Sequence, residues 1–258
     1  MRSGSPPSPS TCAPAPSRRW LAWSTSSAPL ARTTPTSSPA VIPQLLNSLR
    51  DEGQSTTALA ERVIRDPHLV AEVIRMANSA HARADEPVVD IAHAIGRIGT
   101  NGLRRAIARV VLKPMFSGTA DTLSARCAQR LWEHSDAQAA ACQQEATVRG
   151  LDPFEGYLTG LMHNVGWTAA LRAIDRSKLG APNQFSRAFV AEFDQRRETF
   201  FALLVIPWQL TAGLTALGTA LRDGNLAGAC SPLGEALRAA DQRASLEMVQ
   251  STRTMLPR

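Results

Sequence analysis

The pair Asp66-Pro67, followed by Val70, Val73, Ile74 and Ala77, constrains this chain more than any other feature. An aspartate caps a helix by accepting from a backbone N–H, and proline suits the first helical position, where an N–H has no intrahelical partner. Apolar residues at i, i+3, i+4 and i+7 then form one stripe that needs a second apolar surface to cover it. A chain built from such punctuated amphipathic helices folds as a bundle.

The same grammar recurs. A first helix over Ile42 to Arg50 ends near Gly53, and Ser55, Thr56 or Thr57 caps a second that runs to Arg65. The Asp66 helix stops at Asn78-Ser79, where both side chains are expected to satisfy carbonyls of the helix end. Asp90 caps a helix with Ile91, Ala94, Ile95 and Ile98 in a stripe and Gly99 as terminator. Asn101 caps the next, where Leu103, Ile107, Val110 and Val111 face in and Arg104, Arg105 and Arg109 face out. A long helix from about Thr119 to Arg149 carries Cys127, Leu131, His134 and Ala141 on a common side and ends at Gly150. Pro153 opens a helix whose stripe of Phe154, Tyr157, Leu158 and Leu161 is widened by Met162, Val165 and Ala169, the pattern of a central helix. Further helices are expected at about Gln184 to Ile206, Trp208 to Arg222 and Pro232 to Met248. Trp132, Trp167 and Trp208 read as packing residues.

The prediction is therefore an all-α protein. Composition agrees: 44% of the 258 residues are hydrophobic, enough for a core, while only 5% are aromatic and alanine is abundant. Residues 1–39 are rich in Ser, Pro, Thr and Ala without aliphatic periodicity and read as a disordered tail, although a misassigned start codon would look the same. The helical domain is placed at 40–250, with subdomains at 40–115 and 116–250.

Several function classes lose support. No apolar run reaches the roughly 18 residues of a membrane span. Cys12, Cys127, Cys142 and Cys230 form no CxxC pair and read as reduced cytosolic thiols. The Arg-Arg pair in Ser17 to Trp23 lacks the apolar segment of an export signal, so a cytoplasmic location is expected. The formal charge of +6 invites a nucleic-acid partner, but the basic residues are scattered among acidic ones and are not interleaved with aromatics.

The segment beginning at Thr57, TALAERVIRDPHLVAEVIRMANSA, resembles the signature of the HDOD domain, the largely non-catalytic relative of the HD metal-dependent phosphohydrolases. Val88 to Leu112 (VVDIAHAIGRIGTNGLRRAIARVVL), Leu131-Trp132-Glu133-His134-Ser135 and Leu161-Met162-His163-Asn164-Val165-Gly166 continue the likeness, which covers about 41–250 and thins after Leu179. The resemblance implies a multi-helix HD-like bundle. It also implies a metal site of one histidine, a His-Asp pair and a later aspartate, positions matched here by His134, by His163 with Asn164, and by Asp241. An amide oxygen at Asn164 is neutral and a poorer ligand than the carboxylate it replaces. Trp167 stands near the position of a lysine common in active relatives, and no histidine follows His163. Two-metal hydrolysis needs several ligands around two ions.

The site therefore reads as vestigial, with no cofactor and no catalytic residue, and His134 and His163 as hydrogen-bonded core histidines. Arg104, Arg105 and Arg109 read first as a solvated face and second as a strip for an acidic partner. The resemblance implies a signalling or regulatory module that contacts another protein. The alternative is a divergent phosphohydrolase holding a divalent metal with His134, His163, Asp241 and Asn164, and nucleic-acid binding ranks third.

Overall fold

The structure, a computed structural model, describes residue 46 and residues 56–80, 87–177, 186–222 and 230–255. The expected tail over 1–39, the export-like segment, and the first helix apart from the buried helical residue Leu46 lie outside the described residues. Among the described residues the elements are helical and no strand occurs: α1 Thr56–Ile64, α2 Pro67–Ala80, α3 Ile91–Leu112, a 3-10 turn Lys113–Phe116, α4 Leu123–Val148, α5 Pro153–His163, α6 Val165–Ser177, α7 Arg187–Trp208, α8 Ala212–Arg222 and α9 Pro232–Met255.

The Asp66 and Asp90 caps read from sequence are in place, and Asp152 adds one that the sequence reading did not name. Asp66 accepts from the His68 N–H at 2.8 Å, Asp90 from His93 at 2.8 Å, and Asp152, ahead of Pro153, from Phe154 at 2.8 Å. Each satisfies one of the N–H groups that a helix start leaves without a partner. Helix α4 begins later than expected because Thr122 is its cap, accepting from Ala125. Asp175 of α6 adds a second cap, accepting from Leu123 and Ser124 and tying α6 to that start. At the far end Gly150 takes φ 68°, Leu151 N–H returns to Ala146 and Gly150 N–H to Thr147, the paired bonds of a Schellman turn.

Four details differ from the sequence reading. Gly99 (φ 64°, ψ −175°) breaks helical geometry and divides α3 into two segments across a kink, as the sequence reading expects, but Asn101 is an exposed helical residue of the second segment and not its cap. Ser79 bonds back to the Arg75 carbonyl as expected, but Asn78 reaches across the following loop. Its amide donates to the Val88 carbonyl at 3.0 Å and accepts from the Val88 N–H at 2.8 Å. The helix opened by Pro153 stops at His163, because Asn164 (φ −83°, ψ 1°) leaves helical geometry before α6 starts at Val165.

The fourth concerns which side of α4 is buried. Trp132, Ser135, Ala139, Cys142 and Ala146 line the core, whereas Cys127, Leu131 and His134 are half-buried. The cause is the α4–α5 seam. A Cβ on Gly160 would sit 2.7 Å from the Gln138 carbonyl and one on Gly156 would sit 2.5 Å from Ala146 Cβ, so α5 lies against the small residues of α4. Buried apolar residues from α1 (Val63) through α5 (Leu158), α7 (Phe201), α8 (Leu214) and α9 (Leu237) form one core. No helix among the described residues is long and apolar enough to cross a membrane.

Candidate functional site

The α4–α5 approach brings four of the sequence-chosen residues together. His134 sits on α4, His163 and Asn164 at the end of α5, and Asp241 on α9, which packs along α4. His163 is fully buried and Asn164 nearly so. Phe201 meets the His163 ring edge-on at 5.5 Å and shields it from solvent.

Their contacts run through a residue the sequence reading did not single out, the fully buried Gln138 of α4. Its Nε2 donates to Asp241 Oδ1 at 3.2 Å and lies 2.8 Å from His163 Nδ1. The carboxylate can only accept, so it fixes the amide with nitrogen toward Asp241 and His163. Gln138 Oε1 then needs a donor and takes one from Asn164 Nδ2 at 2.6 Å. The other Asn164 hydrogen points at His134 Nδ1, 2.8 Å away. Each Nδ1 is thus an acceptor, and the ring proton belongs on Nε2. That proton goes from His163 to Glu198 at 2.9 Å and from His134 to Ser245 at 3.2 Å. Asp241 and Ser245 are one turn apart on α9, so the chain of bonds begins and ends on the same helix.

Two more charged residues enter the site from α7, Arg197 and Glu198, also absent from the sequence reading. Arg197 Nη2 lies 2.9 Å from Glu198 Oε1 and 3.3 Å from Asp241 Oδ2, and its Nη1 lies 3.5 Å from Asp241 Oδ1. Burial would raise the Glu198 carboxyl, but His163 and Arg197 outweigh it and hold the group below its usual range. Burial works against the Arg197 charge, and Asp241 and Glu198 more than restore it. Burial pushes the His134 imidazole down, in keeping with a neutral ring. The Asp194 carboxyl is pushed up, by burial first.

This arrangement does not fit the metal the HD-type positions imply. Among the described residues no three His, Cys, Asp or Glu side chains converge to hold an ion. The Nδ1 lone pairs of both histidines are taken by amide N–H groups, the Nε2 atoms carry protons, and a guanidinium holds the carboxylates. A metal-bound site would require the opposite, deprotonated nitrogen and oxygen donors facing one point.

Arg104, Arg105 and Arg109 are not the exposed strip expected. Arg104 and Arg109 are each only 7% exposed and Arg105 is half-buried. Arg109 pairs with Glu72 of α2 and Asp136 of α4 and lies 5.0 Å over the Trp132 ring, while Arg105 donates to Gln143 of α4 at 3.3 Å. Arg109 faces in because the acidic partners Glu72 on α2 and Asp136 on α4 compensate its charge. The tryptophans pack as predicted, Trp132 in the core, Trp208 half-buried against it, and Trp167 half-buried with its ring tilted against Phe193 at 4.1 Å.

An all-helical fold with a histidine on one helix, a histidine pair position at the end of another and an aspartate on the last is that of the HD-related class. Within it, the HDOD domain matches residues 36–201, and the chain belongs to the HDOD domain family. An HDOD domain protein of unknown function from Geobacter sulfurreducens superposes with a TM-score of 0.57 at 20% identity, over 89% of this chain and 76% of that one. A candidate phosphohydrolase from Shewanella amazonensis SB2B gives 0.56 at 22% identity over 86% and 81%, and a candidate metal-dependent phosphohydrolase from the same organism 0.56 at 19% over 81% and 76%. These identities speak for the fold. No curated protein matches the chain.

Proposed function

We propose that this HDOD domain is a non-catalytic regulatory module that works in the cytoplasm by contacting another protein of a signalling pathway. One observation carries the non-catalytic part: the Asn164 and Gln138 amides each donate to a histidine Nδ1, leaving His134 and His163 no lone pair for an ion. An internally hydrogen-bonded network is suited to holding helices in register, and it supplies neither an activated water nor a Lewis acid. The signalling role is carried over from the family, and the burial of Arg104 and Arg109 argues against a basic strip as the contact for nucleic acid.

The alternative, a divergent metal-dependent phosphohydrolase, draws on the names of the two Shewanella proteins. Elemental analysis of protein purified without chelator and then offered manganese, iron or zinc decides between them, beside a phosphodiester hydrolysis assay. The regulatory reading expects under about a tenth of an equivalent and no turnover, because a two-metal enzyme is inactive without its ions. Near-stoichiometric metal with turnover that His163→Ala abolishes would overturn it.

A further inference from the structure

We infer that Arg197 is a built-in replacement for the metal ion: its guanidinium, bonded to both Glu198 and Asp241 beside His163, supplies the positive charge of the site and closes it to metal. This deepens the non-catalytic reading and rests on it. Three observations carry the inference. Arg197 comes from α7 and Asp241 from α9, so the guanidinium joins two helices around the His163 ring of α5, the cross-linking task of a bound cation. The group is buried, with a side chain 11% exposed, and its neighbours are acidic: Glu198, Asp241 and, in its electrostatic field, Asp194. The side chains around the guanidinium are of the types that favour zinc, manganese or iron, imidazole nitrogen and carboxylate oxygen, but they do not converge while Arg197 holds both carboxylates, so uptake requires them to turn inward once it is gone.

Without the guanidinium, two carboxylates and His163 would share a buried space with no cation. Gln138 points its nitrogen at Asp241 only because that carboxylate needs donors. With an ion there, the amide could turn its oxygen inward, and the chain that keeps Asn164 and His134 occupied would loosen with it. The arginine thus holds the amide network in its metal-excluding direction. Lysine at the same position keeps a charge but loses the fork that spans two carboxylates.

The test compares wild type, Arg197→Lys, Arg197→Gln and Arg197→Ala in the full chain, by thermal melting with and without excess manganese or zinc and by metal content after gel filtration. Wild type and Arg197→Lys are expected to show no metal-dependent shift. Arg197→Gln and Arg197→Ala should melt lower than wild type without metal. With it they should gain about 5 °C or more and retain about one equivalent, roughly tenfold above wild type. Adding His163→Ala to Arg197→Gln should remove the uptake. If Arg197→Ala does not fold, Arg197→Gln carries the comparison. No uptake in the neutral variants overturns the inference and leaves the non-catalytic reading standing if wild type is inactive. Wild type that retains metal without turnover also overturns the inference alone, and metal with turnover overturns both.

Discussion

Arg197 holds Asp241 with two nitrogens, Nη2 at 3.3 Å and Nη1 at 3.5 Å, while Gln138 donates to the same carboxylate from the other side. Asp241 therefore sets both the charge balance of α7 and the direction of the amide chain. Its side chain is 19% exposed, so the loss on removal falls short of that for a fully buried pair. Asp241→Ala is expected to cost about 1–3 kcal/mol in urea unfolding, and Asp241→Asn less, since an amide oxygen still accepts from Gln138. Equal stability of all three would show that the carboxylate carries no load.

Asn164→Asp restores the residue type of an HD pair but removes both donors of Asn164. Gln138 Oε1 and His134 Nδ1, at 2.6 and 2.8 Å, would each face a carboxylate oxygen. With Arg197 in place the variant is expected to lose about 1–3 kcal/mol near pH 7.5 and to take up no metal. A stabilised variant that retains metal would mean that one amide is all that disables the site.

Much of this site was legible because the resemblance to the HDOD family implies His134, His163, Asn164 and Asp241 without reference to packing, and the structure brings all four together. Gln138 was within reach too: it lies one turn beyond His134 and so shares its face. Arg197 and Glu198 were hidden for a physical reason. A charged side chain is placed outside by default, and only a partner on another helix, here Asp241 on α9, makes burial tolerable. The same default misplaced Arg104 and Arg109, whose helix is buried around nearly all its circumference from Gly102 to Arg109. Helix starts were readable from Asp66, Asp90 and Pro153 because a helix start is a local signal, but the Asn78 bonds to Val88 are not local to the helix.

The α4–α5 seam can be tested directly. A Cβ at Gly160 would lie 2.7 Å from the Gln138 carbonyl and 2.8 Å from Ala139 Cα, backbone that cannot move without separating the helices. Gly160→Ala is expected to destabilise by about 1–3 kcal/mol despite the better helix propensity of alanine. Gly150→Ala, where nothing lies within 4 Å, is a comparison in which only the φ of 68° is strained. A neutral Gly160→Ala would show that α4 and α5 are not held this close.

Arg109 joins α3 to Glu72 on α2 and Asp136 on α4 and covers Trp132. Burial would raise the Glu72 carboxyl, but Arg75 and Arg109 together hold it below its ordinary value. Arg109→Met should cost about 2 kcal/mol, an allowance that includes the partial exposure of both acids, and Glu72→Gln combined with it should cost little more. Additive losses in that double-mutant cycle would show that the two side chains act independently.

His134 gives the domain a defined response to acid. Burial lowers the imidazole from its ordinary value near 6.5, so the unfolded chain takes up this proton at a higher pH than the folded one. A group depressed in the folded state contributes stability that is complete above the unfolded pKa and lost as pH falls through the folded one. Stability should therefore decline from about pH 6.5 downward, because protonation of Nδ1 sets a donor against the Asn164 amide N–H 2.8 Å away. His134→Gln, which can accept from Asn164 but does not titrate, should flatten that part of the profile. Urea midpoints of both proteins between pH 8 and pH 5 check this, and parallel profiles would place the acid sensitivity elsewhere.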